Sequence, residues 1–167
     1  MEGSITSGDA HVAVNYDKLI QHGLKYFREM VEEYRAKLDL TDYRNLGKRY
    51  FYDAALIMID SSVDFAHRFA DLAAQMAEEE QDEKRKKELL EISRICRRVP
   101  EEPAENLWEA LQSIWFIHLI LQIESNGHSL SYGRLDQYLY PYYQKDLEEG
   151  RVTEEQACEL LENFWLK

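Results

Sequence analysis

The chain has 167 residues, and 20 basic against 32 acidic side chains leave a formal net charge of -12. So acidic a surface repels phosphate backbones and argues against nucleic-acid binding, while 45% hydrophobic and 31% charged residues suit a globular core. Seven glycines and three prolines are too few turn-formers for a sandwich or barrel, so long helices are expected.

The segment before His11 reads as a polar tail over residues 1–10. It lacks the basic start and apolar stretch of an export signal. Apolar positions then recur from Tyr16 through Leu19, Ile20, Gly23, Leu24, Phe27, Val31 and Tyr34 to Leu38, which predicts a first helix. After a polar break at 39–45, a second stripe runs through Ala55, Leu56, Ile59, Val63, Ala66, Phe69, Ala70, Ala73, Met76 and Ala77. The stretch from Glu78 to Arg98 places acids first and bases last, the order a helix dipole favours, with Leu89, Ile92, Cys96 and Val99 on its buried side.

Pro100 and Pro103 mark a stop. From Ala104 to Glu124 the sequence is apolar on nearly all sides, which predicts a helix covered by neighbours. The most apolar run, Ile114 to Ile123, is too short and too interrupted by His118 and Gln122 to span a bilayer. Residues 125–134 follow without helical logic: an amide, an imidazole, hydroxyls, a guanidinium and two glycines lie close together. They suit either a small oxygenated ligand or a polar turn that caps neighbouring helices. Helix resumes from Tyr138 to Glu149, Gly150 reads as a stop, and Thr153 with Gln156 forms a capping box. The final stripe, Leu160, Leu161, Phe164 and Trp165, is still unfinished at Lys167, so truncation or a partner chain is expected.

Two distant cysteines, Cys96 and Cys158, favour a reducing cytoplasmic setting over a disulfide framework, and both are expected to be buried. His22, His67 and His118 read as structural imidazoles, and His11 stands just before the first helix. No HExxH spacing, Gly-x-Ser-x-Gly elbow or phosphate loop occurs, so the residues alone assign no metal and no nucleophile.

The segment from Ile123 through Glu-Ser-Asn-Gly-His-Ser-Leu-Ser-Tyr-Gly-Arg-Leu-Asp-Gln to Tyr138, continuing to Tyr143, resembles the signature of glycyl radical enzymes. The likeness is to the pyruvate formate-lyase-like, glycerol/diol dehydratase branch. Ile95 to Pro100, Trp108 to Gln112, Phe116 to Gln122, and His11 with Asn15 to Leu19 extend it over essentially the whole chain. The resemblance implies a mainly α chain of five to six helices, a fragment of a larger α/β ten-stranded-barrel fold. Residues 11–167 would form a partial pyruvate formate-lyase-like domain, cut at its carboxy-terminal end. His128 and Ser129 match substrate-contacting positions of that branch, and His11 matches another.

By the same resemblance the full-length enzyme is a radical lyase or dehydratase for a small hydroxylated substrate, chosen from diols, choline, hydroxyproline or arylacetates. Its cofactor is a protein glycyl radical, installed by a partner activating enzyme that uses S-adenosylmethionine and an iron-sulfur cluster. The Cys-Val-Glu and Arg-Val-x-Gly-Tyr segments that carry catalysis in the family do not occur here. The chain alone is therefore expected to be inactive, with no bound cofactor, and to pair with the rest of the enzyme or with a second copy. The competing expectations are a non-catalytic helical module docking through Leu160 to Trp165, and one subunit of a split enzyme.

Overall fold

The computed structural model describes residues 11–125, 127 and 129–166. In chain order it contains β1 (Val12–Ala13), α1 (Tyr16–Ala36), a 3-10 turn (Tyr43–Asn45), α2 (Leu46–Glu79), α3 (Glu83–Arg98), α4 (Leu107–Glu124), β2 (Leu130–Ser131), α5 (Leu135–Glu148) and α6 (Glu154–Leu166). The mainly helical expectation holds. The chain divides into two compact units, one of residues 22–103 and one combining residues 1–21 with 104–167.

The 22–103 unit is built on the antiparallel logic of α2 and α3. Ala66, Ala70, Ala73 and Ala77 are buried along α2, and Leu89, Ile95 and Cys96 along α3. Methyl-sized residues let the backbones approach, so that the Ser93 hydroxyl donates to the Ala70 carbonyl at 2.8 Å. Arg97 pairs with Asp71, and His67 Nε2 lies 3.0 Å from the Arg97 carbonyl oxygen, which makes His67 a bonded structural imidazole. The Asp82 side chain accepts from the Lys84 amide at 2.8 Å and caps α3. The acidic stretch expected to open one helix at Glu78 thus closes α2 at Glu79 and starts α3 at Glu83. Two residues of the α2 stripe, Phe69 and Met76, are exposed rather than buried, because α3 covers only the alanine side of α2.

Within the same unit, α1 departs from helical geometry at Gly23, where φ is +70°. There the Leu24 and Lys25 amides donate to the Pro100 and Glu101 carbonyls at 2.8 and 3.0 Å instead of to their own helix. A Cβ at position 23 would lie 2.2 Å from the Glu101 carbonyl oxygen, so the contact requires glycine twice over, for conformation and for space.

The other unit is organised by α4. Its amino terminus is held from two sides: the Asn106 side chain accepts from the Glu109 amide at 2.9 Å, and the buried Asp146 carboxylate accepts from the Leu107 amide at 2.7 Å. A carboxylate there also meets the positive end of the helix dipole, and Arg151 Nη1 neutralises it from the far side at 2.6 Å. Leu107, Ala110, Leu111, Ile114 and Phe116 are buried, whereas Ile123 in the last turn is exposed, so coverage falls off toward the end of α4. The capping box of α6 is present: the Thr153 amide donates to Gln156 Oε1 at 2.9 Å and the Gln156 amide to Thr153 Oγ1 at 3.2 Å. Of the last stripe only Phe164 is buried; Trp165 is 76% exposed. Cys158 is also exposed, a correction to the expected burial, since it turns toward Glu162 on the outer side of α6. Cys96 is buried, and desolvation pushes its thiol up to about 11.

Substitutions at two glycines separate conformation from space. Gly133 also has a positive φ, +67°, but open surroundings. Gly133→Ala is expected to cost about 1 kcal/mol and Gly23→Ala more than about 2 kcal/mol, read as the drop in urea midpoint. Equal costs would contradict the Gly23 contact.

Candidate functional site

Two very short strands bring the suspected segments together. β1 and β2 pair in parallel, with Val12 opposite Leu130 and Ala13 opposite Ser131. The pairing begins one step earlier, where the Val12 amide donates to the Ser129 carbonyl at 3.1 Å. Parallel strands start at the same edge, so His11 and Ser129, each the residue before its strand, lie at one end of the ladder. His11 is exposed and Ser129 half-buried.

Ser129 has φ of +54° and is the one non-glycine residue with positive φ among the described residues. A serine held there carries backbone strain that its surroundings must sustain, a condition common where a side chain has to be aimed. Asn126 and His128 lie outside the described residues, so the structure brings together two of the three expected contact residues, His11 and Ser129. The other polar groups of the loop are used locally: Ser131 Oγ accepts from the Gly133 amide at 3.0 Å, and Arg134 pairs with Asp136 at 3.0 Å, holding that carboxyl well below the usual range.

Behind the strands lies an aromatic and imidazole cluster. The Tyr16 hydroxyl, fully buried, is 2.8 Å from His118 Nδ1, and Gln122 Nε2 is 2.9 Å from His118 Nε2. Tyr132 stacks on the His118 ring at 4.1 Å between centroids and meets Phe164 at 5.0 Å. The Tyr138 hydroxyl donates to the Tyr132 carbonyl at 2.8 Å. Burial raises the Tyr16, Tyr132 and Tyr138 hydroxyls and lowers His118, so all four side chains are neutral near pH 7. The sequence marked His118 as a structural imidazole and named Tyr16, Gln122, Tyr132, Tyr138 and Phe164 only within stripes or the signature, without pairing any of them with it. Gln122, four residues on in the same apolar helix, was the readable signal; Tyr16, 102 residues away, was not.

Among the described residues no group of three or more His, Cys, Asp or Glu is placed to hold a metal, and no helix is long and apolar enough to cross a membrane. An open cleft of about 390 Å³ borders this cluster at Tyr138 and the loop at Arg134, and is also lined by Asp17, Gln21, Gln137 and Tyr142.

The family model described as pyruvate formate lyase-like matches residues 1–167. The chain belongs to that family. This pyruvate formate lyase-like chain is 46% identical over 167 residues to the probable dehydratase YbiW of Escherichia coli, covering 99% of this chain and 21% of that protein. It is 44% identical to an isethionate sulfite-lyase of Oleidesulfovibrio alaskensis, with 91% and 19% covered. A solved structure from Roseburia inulinivorans, described for 1,2-propanediol dehydration, superposes with a TM-score of 0.91 at 46% identity, covering 95% of this chain and 20% of that one. The chain thus spans about a fifth of the length of the relatives it matches. The recognised likeness to glycyl radical enzymes is correct.

The lowered pKa of His118 sets a pH dependence. The unfolded chain takes up a proton as pH falls below about 6.5, while the folded ring resists it. Stability conferred by the neutral ring is therefore full above that value and lost as pH falls through the folded pKa. Urea midpoints measured between pH 7.5 and 5 are expected to fall more steeply for the native chain than for His118→Gln. Parallel slopes would show that His118 titrates freely.

Proposed function

We propose that this chain supplies the helical scaffold and one polar edge of the substrate pocket of a glycyl radical lyase or dehydratase. The substrate is a small hydroxylated molecule. The observation that carries this reading is the strained Ser129 paired through its carbonyl to Val12, which sets Ser129 beside His11. Hydroxyl and imidazole groups at one edge can donate to and accept from a diol, and an imidazole can hold or pass the proton of a departing hydroxyl. His128 completes the set by the sequence resemblance. Dehydratases and lyases among the relatives support the reaction class.

A glycyl radical supplies hydrogen abstraction in such enzymes. The Cys-Val-Glu and Arg-Val-x-Gly-Tyr segments that would carry it are not part of this sequence, so no radical step is assigned to these residues. What His11, His128 and Ser129 do is bind and orient hydroxyls and manage their protons. The activating enzyme is the proposed partner, with the polypeptide bearing the two missing segments, and an anaerobic cytoplasm the proposed setting.

The test is anaerobic activation of the chain joined to, or mixed with, the polypeptide carrying both missing segments, followed by assay with propane-1,2-diol and with isethionate. Turnover of one of them is expected, reduced at least tenfold in kcat/KM by Ser129→Ala or His11→Gln, the value of one lost hydrogen bond of about 1.4 kcal/mol. Turnover by the 167-residue chain alone, or unchanged kinetics in both variants, would contradict the reading.

A further inference from the structure

We propose that His118 is the positioning residue of this edge: its ring ties together the strand that leads from His11 and the strand that leads from Ser129. The inference deepens the reading above and rests on it for the meaning of the edge, but not for the tie itself. His118 is nearly inaccessible: Tyr132 covers one face of its ring, and each ring nitrogen has a hydrogen-bond partner. Tyr16 follows β1 by three residues and starts α1, with its amide donating to the Val14 carbonyl at 2.9 Å. Tyr132 follows β2 directly and lies flat on the imidazole. Gln122 sits on the last turn of α4, and its carbonyl accepts from the Gly127 amide at 2.9 Å, inside the loop that carries Ser129.

The chemistry of the ring makes the tie selective. An amide nitrogen only donates, so Gln122 Nε2 requires a lone pair on His118 Nε2 and leaves the Nδ1 proton for the Tyr16 oxygen. A neutral imidazole in one tautomer satisfies both partners at once. An aliphatic side chain satisfies neither, and a buried tyrosine hydroxyl and a glutamine amide then compete for partners elsewhere.

Two backbone elements only two residues long hold few hydrogen bonds of their own, and a ladder that short is not stable by itself. The His118 contacts are what fix its register. They do so without touching substrate, so the residue positions the edge and does not act on it.

The test is amide hydrogen exchange on the full 167-residue chain, with the Val12 amide reporting the pairing to Ser129 and the Leu24 amide, bonded to Pro100, reporting the other unit. Tyr16→Phe and Gln122→Met each remove one polar partner of the ring and keep its apolar bulk; His118→Leu removes both. Exchange at Val12 is expected to rise at least tenfold in the double variant Tyr16→Phe/Gln122→Met and in His118→Leu, while Leu24 changes less than twofold. In the native chain, 15N spectra of His118 are expected to show a neutral ring protonated at Nδ1. Unchanged Val12 exchange in the double variant, or equal acceleration at Val12 and Leu24, would overturn the proposal. Selective release of Val12 with no effect on propane-1,2-diol or isethionate turnover would leave the positioning role standing and count against the pocket reading instead.

Discussion

A buried imidazole with two polar nitrogens has to be bonded at both, and in this chain that requirement links distant segments. His118 sits where α4, the start of α1 and the segment after β2 meet, and its partners come from all three. None of these segments has enough local structure to fix its own place: the strands are two residues each, and the loop before β2 contains Gly127 and a left-handed Ser129. Their arrangement depends on what lies behind them. That support is aromatic and neutral, with Tyr16 and His118 buried, which makes each hydrogen bond between them stronger and each unmade one costlier than at the surface.

Around this cluster the unit adds a buried charge to the apolar core of α4. Asp146, buried at the amino terminus of α4, accepts from the Leu107 amide and pairs with Arg151. Its carboxylate thus serves as cap, dipole partner and ion-pair member at once. The 22–103 unit relies on an alanine seam between α2 and α3 and a glycine at the break of α1 that lets two carbonyls of the 100–101 turn take helical amides.

The helices were legible because their signals are local and repeated. The Gly150 stop and the Thr153–Gln156 box need only a few neighbouring residues to be read, and each appears in place. The stripe of α1 holds apart from the break at Gly23, and the bases expected last do close α3, while most of the acids expected first belong to the end of α2 and the link after it. What was not legible is pairwise and distant. Two-residue strands carry no alternation to detect, and nothing near Tyr16 announces a partner at position 118. Phe69, Met76 and Cys158 were misplaced for a related reason: a stripe marks the apolar side of a helix, but which part of that side is covered depends on the width of the neighbouring element. The loop with His128 and Ser129 stood out by its composition, which favoured a polar turn over a ligand site, and its likeness to a family signature is what named its site residues.

The central claim is that β1 and β2 pair so that His11 and Ser129 share an edge. The most direct measurement is the scalar coupling across the hydrogen bond between the Val12 amide nitrogen and the Ser129 carbonyl carbon, recorded by NMR on isotope-labelled chain. The account predicts a resolved cross-peak connecting these two nuclei, alongside the helix cross-peaks. A well-folded spectrum in which the helix couplings are seen and the Val12–Ser129 coupling is absent would contradict it.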